Sequence, residues 1–378
     1  MNEDATRPPL RIGINALYLL PGGVGGTEIY LRQLLRALAD IDRRNRYFVF
    51  RNRETGADLV PPAANFQDVL QNVGASFRPS RILWEQLRLP AECRRLSLDV
   101  LFNGGFIAPL SVSCPMVTVF HDLQYKRHPE YFRWFDLPFW RILLPAAARR
   151  SARIVLPTEA ARLDFETFFS SLSARAVVVH HGVEPEFLEI GRSRKTSASP
   201  DPFLLTVSTL HPHKNLDTLL RAFRMFHEDR PEYRLVIAGL KGFDAGGIEA
   251  LCKSLRLSDA VSFTGWIPRA DLLNLFAAAS AFVYPSRFEG FGMPVLESLA
   301  SGLPTVCSRI PALVEIAGDA ARFFAPESVG DLNDALHEIT SDPAARSRLA
   351  EAGIRRAQSL TWQRTARETL SVIEAAAG

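Results

Sequence analysis

Short apolar runs alternate with stretches of helical periodicity along most of the chain. "LRIGINALYL" reads as a buried strand, and "GGVGGTEIYLRQLLRALADI" as a glycine loop followed by an amphipathic helix that Thr27 caps. "YFVF", "VLFN", "MVTVFHD", "ARIVLPT" and "AVVVHHGV" read as further short strands, with "EAARLDFETFF" a helix between the last two. "GVEPEFLEIGRSRKTSASPDP" breaks the pattern, and its proline, serine, glycine and charge read as a linker. Alternation then resumes. "FLLTVSTL", "YRLVIAGL", "AVSFTGW", "AFVYPS" and "PTVCS" read as strands, separated by helical "NLDTLLRAFRMFHED", "GIEALCKSLRL", "RADLLNLFAAAS" and "PVLESLASG". From Asp331 onward the pattern is helical, with no new strand.

Strands separated by helices imply right-handed crossovers and parallel sheets. The expected fold is therefore α/β, with two doubly wound Rossmann-like domains facing a cleft and ligands at the carboxyl ends of the strands. The boundaries predicted are an N-terminal domain over 1–183, a linker over 184–201, a C-terminal domain over 202–358 and a terminal helix over 359–378 that packs back on the first domain. A chain of 378 residues, 47% of them hydrophobic, suits two such cores. A net charge of +3 is too small for a dedicated nucleic-acid binder. Four cysteines without a CxxC pair argue against a zinc site or a disulfide framework and fit a reducing cytoplasm. "MNEDATRPPL" lacks the basic and apolar regions of a signal peptide. The uncharged run from Phe102 to Phe120 carries two glycines and two prolines, so it reads as two buried strands with a turn, not a membrane span.

The chemistry concentrates in "YPSRFEGFGMPVLESLASGLPTV". Pro294 suits the first turn of a helix, whereas Gly290 and Gly292 suit a loop. Glu289 then lies in the loop and Glu297 in the helix's first turn. Amides around Phe291 to Val295 face an anion at the helix N-terminus. Two carboxylates flanking a phosphate would repel it, so hydroxyl groups are their natural partners. A sugar and a ribose at the two ends of a diphosphate supply those hydroxyls. The residues alone fit equally a solvated Glu289 and a Glu297 that merely favours the helix dipole.

The same stretch resembles a known family. "EGFGMPVLE" is similar to the Glu-x7-Glu signature of retaining glycosyltransferase family 4, which has the GT-B fold. "LPGGVGGTEIYLRQLLRAL", "VFHDL", "VSTLHPHKNLDTLLRAF", "LVIAGL" and "VSFTGWIPRADLLNLFAAASAFVYPS" resemble further family segments in the expected order, from Leu10 to Phe324. The resemblance implies that Glu297 holds the donor ribose. It implies that Glu289 meets the transferred sugar, with Gly290, Phe291 and Gly292 beside it and Met293 and Pro294 opening the helix. Lys214 would contact the diphosphate, Gly25 and Gly26 would approach the phosphates, His121 would sit beside the sugar, and the Ile267 backbone would meet the base. Many members carry an arginine where this chain has Thr209, which leaves Lys214 as the principal charge, supplemented by His213 and Arg287. The implied activity is transfer of a sugar from a nucleotide-sugar donor to an acceptor hydroxyl with retained configuration and no cofactor. GDP-mannose is favoured because "PHKN" resembles the polysaccharide mannosyltransferase branch; UDP-sugars stay open. The implied acceptor is a glycan or lipid-linked glycan.

Other readings compete at particular residues. Asp40-Ile41-Asp42 is formally a DxD, but beside Arg43, Arg44 and Arg46 it reads as a solvated helix end, so no metal is predicted. His180 and His181 lack a third ligand and read as structural. Arg127 to Arg150 suits equally an anionic membrane face, which would place the protein peripherally on the inner surface, and a core-facing helix with snorkelling arginines. The glycine loop invites an NAD-type oxidoreductase, yet Glu28 stands where G-x-G-x-x-G needs its third glycine. A non-catalytic sugar-nucleotide-binding protein is the remaining alternative; the presence of Lys214, Glu289 and His121 argues against it.

Overall fold

A computed structural model of the chain describes residues 8–22, 25–132, 137–194, 202–242 and 244–378. The chain divides into two compact units. The first holds residues up to Gly182 together with Trp362–Gly378, and the second Val183–Thr361.

The first unit is built on seven parallel strands: β1 (Arg11–Asn15), β2 (Arg46–Arg51), β3 (Phe66–Leu70), β4 (Val100–Asn103), β5 (Met116–Val119), β6 (Arg153–Leu156) and β7 (Ala176–Val178). Their order is β3-β2-β1-β4-β5-β6-β7, so the winding reverses between β1 and β4. All residues of β4 and β5 are buried, as continuous apolar strands of a two-sided parallel sheet should be. β4 and β5 run parallel, so the expected turn between them is instead a crossover over 104–115. β3 is not legible as a strand in the sequence, because "FQDVL" sits on the sheet edge with a mostly open surface. The helix Gly26–Ile41 starts on Gly25, whose carbonyl accepts from the Glu28 and Ile29 amides. Thr27 is therefore inside the helix and does not cap it. The terminal helix Trp362–Ala377 packs along Gly26–Ile41.

The second unit has six parallel strands: β8 (Phe203–Val207), β9 (Arg234–Ala238), β10 (Val261–Gly265), β11 (Ala281–Tyr284), β12 (Thr305–Ser308) and β13 (Arg322–Phe324). Their order is β10-β9-β8-β11-β12-β13, with the reversal between β8 and β11. β13, only three residues long, is a strand that the hydrophobic pattern does not predict, while the chain from Asp331 onward is helical as expected.

The predicted linker is also corrected over its described part. Pro185–Ser193 is a helix of the second unit, opened by Pro185 and anchored by fully buried Phe187. It lies so close to the helix Met293–Ala300 that a Cβ on Gly191 would meet the Ala300 carbonyl at 2.2 Å. Tertiary packing of Phe187 and Gly191 overrides a composition that is polar on average. The rest of that segment, 195–201, lies outside the described residues.

Candidate active site

Two loops meet at the reversal point of the second sheet. The first follows β8 and turns through Pro212–Lys214 into Asn215, which adopts the left-handed conformation at φ 56°. Asparagine tolerates that region better than most residues. The Asn215 side chain is fully buried and donates to the carbonyls of Pro285 (2.9 Å) and Pro326 (2.7 Å). The Thr218 hydroxyl donates to it in turn, at 2.7 Å. The second loop follows β11 and is fastened to the first, since the His213 carbonyl accepts from the Arg287 amide (2.7 Å) and the Ser286 hydroxyl (3.1 Å).

This clamp brings Lys214 and Glu289 together across 75 residues of chain, with Nζ–Oε1 at 2.6 Å. The Tyr284 hydroxyl completes a triangle, accepting from Lys214 at 2.9 Å and donating to Glu289 Oε1 at 2.9 Å. Burial works against the Lys214 charge, but Glu289 and Tyr284 outweigh it and hold the ammonium above its ordinary pKa. Burial and the Glu289 charge push the Tyr284 phenol upward, so it stays protonated. Tyr284 is a site residue that sequence reasoning misses; its signal is the polar tip it adds to the last position of an otherwise apolar strand.

Glu289 is followed by Gly290, buried Phe291 and Gly292. Gly292 has φ 95°, a backbone conformation that favours glycine, and a Cβ there would have to displace the Leu313 Cδ2 methyl, 2.3 Å away. Its carbonyl accepts from the Val295 and Leu296 amides and opens the helix Met293–Ala300, with Pro294 in the first turn. Glu297 is the fifth helical residue, at the start of the second turn and not within the first as expected. It is only 5% exposed, and Arg269 Nη2 donates to its Oε1 at 2.8 Å while also meeting Glu184 Oε2. Burial pushes the Glu297 carboxyl upward, Arg269 opposes this and Glu184 adds to it. Neither Arg269 nor Glu184 is legible in the sequence as part of the site.

Around the same strand ends, Thr209 is half-buried, and Gly239, after β9, donates its amide to the Gly265 carbonyl at 3.1 Å. Gly265 takes φ 67° and leads into exposed Trp266 and then Ile267, which packs on the core. Arg287, expected as a supplementary donor-facing charge, is instead held by Glu327, Asp217 and the Pro212 carbonyl. Its long side chain reaches two nearby carboxylates at the surface. The His213 ring lies 5.9 Å from that of His211.

In the first unit, His121 follows β5 and its Nε2 lies 2.9 Å from the Gly104 carbonyl, just past β4. A carbonyl only accepts, so Nε2 carries the hydrogen and a neutral ring keeps Nδ1 as an acceptor. Burial lowers the ring's pKa to about 4, against a smaller opposing effect of the Gly104 bond. The Tyr18 hydroxyl donates to the same carbonyl at 3.0 Å. Tyr30 and His181 pack on the His121 ring, with centroids at 5.0 and 5.7 Å. Gly25 and Gly26 form the start of the first long helix, while Gly23 and Val24 lie outside the described residues. Asp42 is not the solvated helix end expected. It is buried, and its carboxylate accepts from the Arg44 amide, Asn45 and the Tyr47 hydroxyl. Among the described residues no cluster of His, Cys, Asp and Glu has the form of a metal site. Within Arg127 to Arg150, residues 133–136 lie outside the described residues. The helix Leu137–Arg150 buries Leu144, Ala147 and Ala148 and exposes Phe139 and Ile142.

One doubly wound sheet thus carries a half-buried lysine–carboxylate pair at its reversal point, and the other a neutral histidine after β5. Residues 24–187 match the family model described as Glycosyltransferase Family 4, and 189–356 the one described as Glycosyl transferases group 1. The chain belongs to family 4 of the GT-B glycosyltransferases and is a glycosyltransferase. It is 26% identical over 281 residues to the O-antigen chain mannosyltransferase B of Escherichia coli, covering 72% of this chain and 74% of that one. Its fold is similar to that of WaaG, a glycosyltransferase involved in lipopolysaccharide biosynthesis, with a TM-score of 0.75 at 18% identity, covering 96% and 99% of the two chains. It is likewise similar to Anabaena HepE in complex with UDP-glucose, with a TM-score of 0.72 at 17% identity, covering 97% and 100%. Both matched families are glycosyltransferases, so nothing supports the oxidoreductase alternative.

Proposed function

We propose that the protein transfers mannose from a nucleotide-mannose donor, with retention, to a hydroxyl of a growing cell-surface polysaccharide or lipid-linked glycan. The observation that carries this reading is the Lys214–Tyr284–Glu289 triangle at the carboxyl ends of β8 and β11. That is where a doubly wound sheet binds its ligand. The nucleotide-sugar class is supported by the fold shared with a UDP-glucose-binding protein, and mannose by the O-antigen relative.

In this reading Lys214 leaves Glu289 for the donor diphosphate and stabilises the negative charge that grows as the sugar departs. Amides around Gly290 to Val295 add to that stabilisation. Glu289, released, accepts hydroxyls of the transferred sugar, and Glu297 those of the ribose. His121 offers Nδ1 to the sugar. Among the described residues no side chain is assigned as a covalent nucleophile, so in this reading the acceptor hydroxyl attacks the face the diphosphate leaves and passes its proton to the leaving phosphate. Asp42 is spent on its own turn, and metal-independent turnover follows from Lys214 and the amides.

The acceptor's membrane origin is supported by an apolar and basic face of the first unit. Phe77, Leu83 and Leu87 are more than half exposed at the helix Arg78–Leu87, as are Phe139 and Ile142 on Leu137–Arg150. Arg78 reaches from one helix to the Trp140 ring of the other at 5.5 Å. No helix among the described residues is long and apolar enough to cross a membrane. A peripheral hold on an anionic inner surface fits this pattern.

The deciding experiment is a panel of GDP-mannose, UDP-glucose, UDP-galactose and related donors assayed for nucleotide release, with the product's anomeric configuration read by NMR. Preference for GDP-mannose and a retained α-linkage are expected. Release from a UDP-sugar alone would overturn the donor, and inversion would overturn the mechanism.

A further inference from the structure

The Glu297 carboxylate is held by a device that donor binding alone does not require. A single guanidinium, that of Arg269, serves two carboxylates, Glu297 and Glu184, through the same Nη2. Arg269 also lies over the buried Phe187 ring, with Cζ at 4.7 Å from its centroid, which favours the guanidinium at that position. Glu184 occupies the N-cap position of the helix Pro185–Ser193 yet makes no side-chain cap bond to it. Its carboxylate is committed to Arg269 in place of its own helix. Its backbone is pinned as well, because the preceding Val183 donates to the Leu360 carbonyl and pairs with Thr361.

We propose that Arg269, held over the Phe187 ring and shared between Glu297 and Glu184, is a positioning residue that keeps Glu297 ionised and turned to accept the hydroxyls of the donor's ribose. The proposal rests on the reading of Glu297 as the ribose ligand. Two carboxylates on one cation leave one net negative charge. Such a group attracts hydroxyl donors and repels phosphate, which sorts the ribose end of the donor from the diphosphate end. Arg269 takes only Oε1 of Glu297, leaving Oε2 for a ligand. The charged groups acting on Glu297 are Arg269 and Glu184, and only the first favours ionisation. Without the guanidinium, burial and the Glu184 charge are unopposed and push the carboxyl further toward its protonated form, which loses acceptor capacity. The defect should therefore be largest at lower pH and shrink as pH rises and Glu297 ionises.

The test is calorimetric titration of wild type, Arg269→Gln, Arg269→Lys, Glu184→Gln and Glu297→Gln with GDP, and with UDP in parallel, between about pH 7 and 9. Arg269→Gln should bind about tenfold or more weakly than wild type at the low end, the worth of a charge-assisted hydrogen bond, and recover several-fold toward the high end. Arg269→Lys should retain most affinity, with a pH profile parallel to wild type. Glu184→Gln, which frees the guanidinium for Glu297, should bind as tightly or more so. Unchanged binding by Arg269→Gln, or a loss equal at every pH, overturns the proposal. Should Arg269→Gln not fold, a tenfold loss in Glu184→Gln, or a steepened pH dependence in Arg269→Lys, overturns it instead. Wild-type affinity in Glu297→Gln would refute the ribose reading itself, a result distinct from any failure of Arg269.

Discussion

Replacing Lys214 by Met keeps the aliphatic stem and removes the ammonium, so it isolates the charge. In the folded protein Nζ stands 2.6 Å from Glu289 Oε1. At an effective dielectric of about 20 that separation corresponds to about 6 kcal/mol of attraction, most of it offset by desolvation of the two ions. Removing one member of a buried pair costs about 3–5 kcal/mol, because the other charge is left behind. In this pair 15% and 12% of the two side-chain surfaces remain open, so water relieves part of the loss and about 2–3 kcal/mol is expected. Adding Glu289→Gln should return about 1–2 kcal/mol, since the stranded carboxylate is then gone. Urea unfolding of the two single variants and the double variant measures this coupling. Turnover should behave differently: Lys214→Met lowers kcat by about 10²–10³, or about 2.7–4 kcal/mol, and Glu289→Gln does not rescue it. Near-wild-type kcat with saturating donor would refute the assignment of Lys214 to the leaving group. Additive stability losses would refute the pair as a coupled unit.

Excess EDTA should leave most activity; complete loss restored by Mg²⁺ or Mn²⁺ would show that a metal, not Lys214 and the helix amides, neutralises the leaving diphosphate. Glu289→Gln should lower kcat more than donor affinity and bind free nucleoside diphosphate nearly as wild type, whereas Glu297→Gln should mainly raise donor KM and weaken that ligand; calorimetry in the reverse order would mean that the two carboxylates do not straddle the donor. His121, neutral in the fold with a pKa of about 4 against an ordinary value near 6.5, destabilises the protein as pH falls between those values, because only the unfolded chain takes up the proton. The full effect is about 3 kcal/mol, so His121→Asn should flatten the acid limb of the stability curve, and parallel limbs for the two proteins would sink the argument.

Hydrophobic period alone locates most strands and helices of both sheets, because a strand buried on both faces must be an unbroken apolar run. Local sequence also places Glu289 and Gly292 beside a proline-bearing helix start, whereas Lys214 is picked out only by the resemblance of its segment to the family. Elements without a strong period are illegible. The edge strand Phe66–Leu70 is polar, Arg322–Phe324 is three residues long, and Pro185–Ser193 is helical through Phe187 and Gly191 packing on distant chain. The side chains that set the site's electrostatics are likewise beyond reach. Glu184 lies 85 residues from Arg269, and Lys214 lies 70 from Tyr284. Asp42 reads as solvated until Asn45 and Tyr47 close over it. A residue's own neighbours in sequence determine its period and its backbone conformation. Which charge meets which, and how much water remains between them, is decided only when the sheet brings the ends of non-adjacent strands side by side.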